Sequence, residues 1–345
     1  MMAKVSTLLL SAATLGILKY APPEYLAPLI DLLSKTPVTP QRILSCVQFF
    51  AWFKLLTGVT SNINSYFSWK KENNWVTDDK YDWEKEVVMI TGGSGGLGEQ
   101  MAIQFAEKGV TVVVVDVNPV RNEVLEKYKT ISFFSCDISD FTALSATAAE
   151  IRKAHGDPTV IILNAAIANL GPLLSTPVAQ SQKLININLT SHIAMIHEFL
   201  PSMIKNNHGH VMFIASMCSY LSIAGLGDYC ATKAGTLAYY EALRQELRHE
   251  YKAPKVRTSI VHPTWMRTKI VPFETVEKSG EIRVQKRLFY GVEKTAKIAV
   301  QKVFSGYGGR VIVPDVWQMR AMIGLRTWSI WAQESLRDYV RLIGQ

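Results

Sequence analysis

Six short apolar runs between Glu86 and Pro263 constrain this chain more than any other feature: "EVVMIT", "TVVVVDV", "ISFFSC", "TVIILNA", "GHVMFIAS" and "KVRTSIVHP". Apolar runs of so few residues predict strands covered on both faces. Segments of helical period lie between them: "LGEQMAIQFAEKG" with its glycine stop, Phe141–His155, Gln180–Lys205 and Tyr229–Tyr251. Strand and helix in regular alternation predict an α/β domain, a doubly wound parallel sheet of Rossmann type. No repeat or low-complexity tract interrupts the pattern.

The first strand runs into "TGGSGGLG", Thr91 to Gly98, and then into a helix. Glycines at such a junction let the backbone come close to a pyrophosphate. The helix start adds free N–H groups and the positive end of a dipole. The strand before and the helix after set this turn apart from a glycine-rich surface loop. It predicts a dinucleotide cradle with contacts from Gly92, Ser94, Gly96, Leu97 and Gly98. The second strand ends on Asp116, whose carboxylate suits the adenosine ribose hydroxyls and repels a 2′-phosphate. No arginine or lysine lies inside the glycine turn. NAD(H) is therefore the expected cofactor, with Arg121 close enough to keep NADP(H) open. Asp137, after the third strand, either caps the next helix or meets the adenine.

The stretch "DYCATKAGTLAYY" puts Tyr229 and Lys233 one turn apart on one helical face. The ordinary account is a packed ring and an amine reaching to water. The chemical account is an acid–base pair. A charged Lys233 favours the phenolate and draws the Tyr229 pKa down from about 10 toward neutrality.

The ordered motifs resemble the short-chain dehydrogenase/reductase family over about Glu86–Val313. Thr91-Gly92-xxx-Gly96-x-Gly98 matches the family's cofactor turn, and Asn164-Ala165-Ala166 is similar to its Asn-Asn-Ala-Gly. Asn188 in "NINLT", Ser216 thirteen residues before Tyr229, and Tyr229-xxx-Lys233 match its catalytic positions. Pro263 through Thr268 resembles its Pro-Gly-xxx-Thr segment. Leu163, Ala166 and Thr264 depart from the pattern without removing a reacting group. The resemblance implies that Tyr229 exchanges the substrate proton while Ser216 holds the substrate oxygen. It implies that Lys233 supports Tyr229 and binds the nicotinamide ribose, and that Asn188 anchors a relay water. Asn164, Tyr229, Lys233, Pro263 and Thr268 join the expected cofactor contacts. No metal is expected, since no Cys/His cluster has ligand spacing. A turn between helix and strand accounts for His208 and His210.

Within the family, "FLPSMIKNNHGHVMFIAS" and "DYCATKAG" resemble the membrane- and lipid-droplet-associated branch of retinol and 17β-hydroxysteroid dehydrogenase-like enzymes. That implies a lipophilic alcohol or ketone substrate, such as a retinoid, steroid, long-chain alcohol or polyketide-like compound. It also implies a catalytic domain facing the cytosol from the endoplasmic reticulum or a lipid droplet, and a homodimer through the long helices. Trp265–Arg283, with Trp265, Met266, Ile270, Val271 and Phe273, is either an apolar lid or the ordinary packing of a loop. The other function class is a catalytically idle membrane scaffold or cofactor-sensing protein, against which the complete set of reacting residue types argues.

Three divisions follow: a hydrophobic membrane-associating segment over 1–80, a catalytic domain over 81–315 and an amphipathic tail over 316–345. Val5–Leu18 and Ile43–Phe53 are uncharged runs, each short of the ~20 residues of a straight span. Lysines at their ends, with Tyr20 and Trp52, suit a membrane-embedded hairpin or in-plane helices better than a secretory signal. Packing on the domain itself is the alternative. In the tail, wound as one helix, Trp317, Ala321, Leu325, Trp328, Ala332, Tyr339 and Leu342 share a side opposite Arg326, Arg337 and Arg341. That suits an anionic membrane surface, and equally docking on the N-terminal segment or on a second subunit. The net charge of +8 comes with no nucleic-acid motif or compact basic cluster, so nucleic acid is not expected. Four cysteines without paired spacing suit a reducing compartment.

Overall fold

Five of the seven strands among the described residues are buried along almost their whole length, and that burial dictates the layering. A computed structural model of the chain describes residues 5–268, 270 and 289–339. The strands are β1 (Val87–Thr91), β2 (Thr111–Asp116), β3 (Ile131–Ser135), β4 (Val160–Leu163), β5 (His210–Ile214), β6 (Arg257–Pro263) and β7 (Gly309–Val313). They pair in parallel in the order β3-β2-β1-β4-β5-β6-β7. Successive side chains leave opposite faces. Met89, Val113, Ile161 and Phe213 enter one apolar layer, and Ile90, Val114, Ile162 and Met212 the other.

The first layer is closed by α6 (Phe141–His155), α8 (Ser191–Asn206) and α9 (Gly227–His249), through Leu144, Ile151, Phe199 and Leu243 among others. The second is closed by α4 (Gly96–Ala106) and α10 (Val292–Phe304), through Met101, Phe105, Ala299 and Val303. A short α5 (Asn122–Lys127) and α7 (Val178–Ile185) are the other α-helices described between β1 and β7. The strand order reverses between β1 and β4, which opens a crevice at their C-terminal ends.

The chain divides into two compact units, Met1–Trp75 and Val76–Gln345. The first holds α1 (Val5–Tyr20), α2 (Pro23–Ser34) and α3 (Pro40–Glu72), with α1 packed along α3. The apolar run that begins at Ile43 does not stop at Phe53. It continues through Lys54 to make α3 a 33-residue helix with a window of mean hydropathy 1.4. Lysine is a good helix former, and the one interior glycine, Gly58, costs only about 1 kcal/mol, so nothing breaks the helix.

The tail forms two short helices, α11 (Trp317–Ile323) and α12 (Ile330–Tyr339). Gly324 ends α11, so the stripe expected of one helix is divided: Leu325 is buried while Trp317, Trp328 and Trp331 are exposed. Arg341 and Leu342 of that stripe, and Val271 and Phe273 of the expected lid, lie outside the described residues.

Candidate active site

At the crevice, the glycine turn is too tight for side chains. Gly92 has φ +65°, and a Cβ there would lie 2.9 Å from the Ala165 Cα. A Cβ on Gly98 would lie 2.2 Å from the Gly92 carbonyl oxygen. Asn164 stitches this turn to the end of β4. Its Nδ2 donates to the carbonyls of Thr91 (2.9 Å) and Gly92 (3.1 Å), and its backbone N–H donates to the Thr91 hydroxyl at 3.0 Å. Leu97 buries its side chain in the core, which leaves only its backbone to face a ligand. Thr268 is brought to the same turn: a Cβ on Gly96 would stand 3.6 Å from its Cγ2. Pro263 ends β6, and the next residue, Thr264, donates its N–H to the Val313 carbonyl.

Asp116 Oδ2 accepts the Ser94 N–H at 3.0 Å and Oδ1 accepts the Asn118 N–H at 3.0 Å. Arg121 is drawn to Glu99, with Nε 2.7 Å from Oε1. Asp137 does not cap the following helix. It accepts from the Ser139 N–H and hydroxyl, which hold its carboxyl below the usual range, while Asp140 caps α6 through the N–H groups of Thr142 and Ala143.

A nicotinamide dinucleotide fits these residues. The Ser94 hydroxyl is buried with no hydrogen-bond partner. The N-terminus of α4 follows Gly95 and has no side-chain cap. Both are donors of the kind a pyrophosphate takes up.

The residues expected to react come from three elements. Lys233, on α9, is 1% exposed and donates from Nζ to the carbonyl of Ile214, the last residue of β5, at 2.8 Å. Its Nζ stands 5.6 Å from the centre of the Tyr229 ring. Burial pulls the amine down to about 8, against a push upward from Cys218. Ser216 follows β5 in extended backbone and accepts the Cys218 N–H at 3.1 Å. The expectation that Lys233 draws the Tyr229 phenol down is not met. Burial pushes the phenol above its ordinary value, Cys218 adds to the push, and the neighbouring Ser216 only partly offsets it. Desolvation outweighs the nearby amine because the ring and the amine are buried together.

Asn188 sits on a π-helical turn, Asn186–Thr190, and is fully buried. Its carboxamide accepts the Ile167 N–H and donates to the Ile167 carbonyl, both at 2.8 Å, and reaches the Thr232 hydroxyl at 3.3 Å. It thus ties the loop after β4 to the first turns of α9. Sequence reasoning missed four neighbours. His192 lies buried near Lys233, which together with burial holds it neutral, at about 3. Cys230 and burial push the Cys218 thiol well up; the places of the two cysteines, two residues after Ser216 and one after Tyr229, were the available signal. His262 touches both Ser216 and Tyr220. An apolar cluster of Leu221, Ile223, Leu226 and Leu325 gathers Trp265, Met322 and Tyr229 around it.

Comparison with known proteins agrees with this fold. The model of the family described as short chain dehydrogenase matches residues 86–278. Dehydrogenase RED2 of Cochliobolus heterostrophus is 36% identical over 209 residues, covering 60% of this chain and 78% of that protein. Epidermal retinol dehydrogenase 2 of Mus musculus is 33% identical over 189 residues, covering 53% of this chain and 61% of that protein. A crystal structure of a metagenomic short-chain oxidoreductase in complex with NADP superimposes with a TM-score of 0.54 at 24% identity, covering 67% of this chain and 96% of that one. With its sheet, its glycine turn and more than half its length accounted for, this chain belongs to the short-chain dehydrogenase family.

Proposed function

We propose that this chain is an NAD(H)-preferring oxidoreductase that interconverts a lipophilic alcohol and its carbonyl compound at a membrane surface. The observation that carries the reading is the buried Lys233 amine held 5.6 Å from the Tyr229 ring centre and anchored at the end of β5, two residues before Ser216. Ser216 Oγ accepts the Cys218 N–H, so its own hydrogen is available to a substrate oxygen. Tyr229 takes the proton from that oxygen in oxidation and returns it in reduction. Lys233 gives one hydrogen to Ile214 and keeps two for the nicotinamide ribose. The glycine turn and Ser94 hold the pyrophosphate, and Asp116 holds the adenosine ribose. When bound, the dinucleotide supplies the hydride acceptor or donor.

Preference for NAD(H) rests on Asp116 at the end of β2 and on Arg121 being committed to Glu99. The lipophilic substrate rests on the apolar cluster around Tyr229 and on similarity to a protein named as a retinol dehydrogenase. Membrane attachment rests on α3, whose apolar window is only 11% buried and presents Phe49, Phe50, Trp52, Phe53 and Leu56. The catalytic domain facing the cytosol from the endoplasmic reticulum or a lipid droplet, and a homodimer, complete the reading.

The test is turnover of NAD⁺ with a panel of retinoid, steroid and long-chain alcohols, by the full chain and by Tyr229→Phe. Turnover in the parent and none in the variant, with dinucleotide binding retained, is expected. Equal turnover in both ends the reading.

A further inference from the structure

His262 is wholly buried on β6, one residue before Pro263. Its Nδ1 lies 3.1 Å from the Ser216 carbonyl oxygen, and its Nε2 lies 3.3 Å from the Tyr220 hydroxyl. A carbonyl oxygen only accepts, so Nδ1 carries the hydrogen. Burial keeps the ring neutral, its pKa pulled down to about 4. Nε2 is then a bare acceptor, and the Tyr220 hydroxyl donates to it. The two contacts specify one tautomer.

The two residues the ring holds bracket a single 3₁₀ turn, Met217–Ser219, that leads away from β5. Within it the Ser219 N–H takes the other side of the Ser216 carbonyl at 3.0 Å, and the Ser219 hydroxyl donates to the Lys233 carbonyl at 2.9 Å. The Tyr220 ring lies 4.8 Å from the imidazole. One rigid side chain on β6 therefore grips both ends of the turn that presents Ser216 Oγ.

We propose that His262 is a positioning residue: by fixing the Ser216 carbonyl and Tyr220, it sets where the Ser216 hydroxyl meets the substrate oxygen. The inference rests on the proposed role of Ser216. Asparagine at 262 can place an amide donor near the Nδ1 position, whereas leucine fills the space and offers none.

The test is steady-state kinetics of the full chain with the best alcohol of the panel, in His262→Leu, His262→Asn, Ser216→Ala and the His262→Leu/Ser216→Ala double variant. His262→Leu is expected to lower kcat about 10- to 100-fold, with KM and dinucleotide affinity within about twofold of the parent. His262→Asn is expected to recover most of that loss. In the Ser216→Ala background, His262→Leu is expected to cost less than about twofold more, because its effect travels through Ser216. Parent kcat in His262→Leu overturns the proposal, as does an undiminished loss in the Ser216→Ala background or no recovery with asparagine. Parent kcat in Ser216→Ala alone instead overturns the reading of the site. Should the leucine variant not bind dinucleotide, Tyr220→Phe frees one end of the ring. It is expected to lower kcat about threefold at unchanged KM, and full kcat there overturns the proposal.

Discussion

The Lys233 amine stands 5.6 Å from the centre of the Tyr229 ring and is anchored to the Ile214 carbonyl at 2.8 Å. This placement opposes folding. The amine titrates near 8 in the folded protein and at 10.5 in a model peptide. Between those values the unfolded chain binds more protons, so stability rises with pH from about 8 to 10.5, and below 8 the full penalty applies. A shift of this size amounts to about 3 kcal/mol. Lys233→Met loses one hydrogen bond worth about 1 kcal/mol and is expected to gain roughly 1–3 kcal/mol net at pH 7. The gain should shrink toward pH 10.5, and turnover should be lost. Urea unfolding of both proteins at pH 7 and pH 10 checks this; equal stability at both values contradicts it.

Asp116 holds the Ser94 N–H and ends β2 in the crevice. Replacing it with alanine while changing the exposed Val117 to arginine removes a repelling charge and adds an attracting one. The ratio of kcat/KM for NAD⁺ over NADP⁺ should fall by about tenfold to hundredfold, equivalent to about 1.4–2.7 kcal/mol. A parent enzyme that already favours NADP⁺ refutes the reasoning.

At the opposite, N-terminal edge of the sheet, His208 bridges Asp78 and Glu86, with Nδ1 2.7 Å from Asp78 Oδ2 and Nε2 3.2 Å from Glu86 Oε1. Tyr81 packs against its ring, tilted by 56° with the centres 4.6 Å apart. The Glu86 hydrogen bond, aided by Asp78 and against burial, raises the imidazole above 6.5. A raised folded pKa stabilises fully below the unfolded value and is lost as pH rises through the folded one. His208→Gln should therefore destabilise by about 3 kcal/mol at pH 6, and by clearly less at pH 9. Thermal unfolding at the two pH values measures the difference; a constant gap refutes the charge argument.

Phe53 and Leu56 are exposed on α3. Lysine at both positions adds about 2.5–3.5 kcal/mol per residue to burial at the centre of a bilayer. Alkaline carbonate should leave the parent in the membrane pellet and release the double variant. Release of the parent as well refutes insertion.

The strands were readable because Val-, Ile- and Phe-rich runs stand between glycine and helix signals, and Phe141–His155 matches α6 residue for residue. β7 escaped, since "GRVIV" offers only three apolar residues and becomes a strand by pairing with β6. The π-helical turn at Asn188 was invisible inside Gln180–Lys205. It accompanies bonds to Ile167, twenty-one residues away in sequence. The nearness of Tyr229 and Lys233 was written in their spacing, but the sign of the phenol's shift was not, because desolvation depends on what the fold packs around it. His262 looked like one more residue of a buried strand. Its tautomer exists only once Ser216 and Tyr220 are in place.

Glu86 and His208 precede β1 and β5, whereas Ser216 and Lys233 gather where β5 ends. Ruggedness and the proposed chemistry thus occupy opposite poles of one sheet. Evolution, or an engineer, can retune the endurance of this enzyme at one pole while leaving its chemistry at the other untouched.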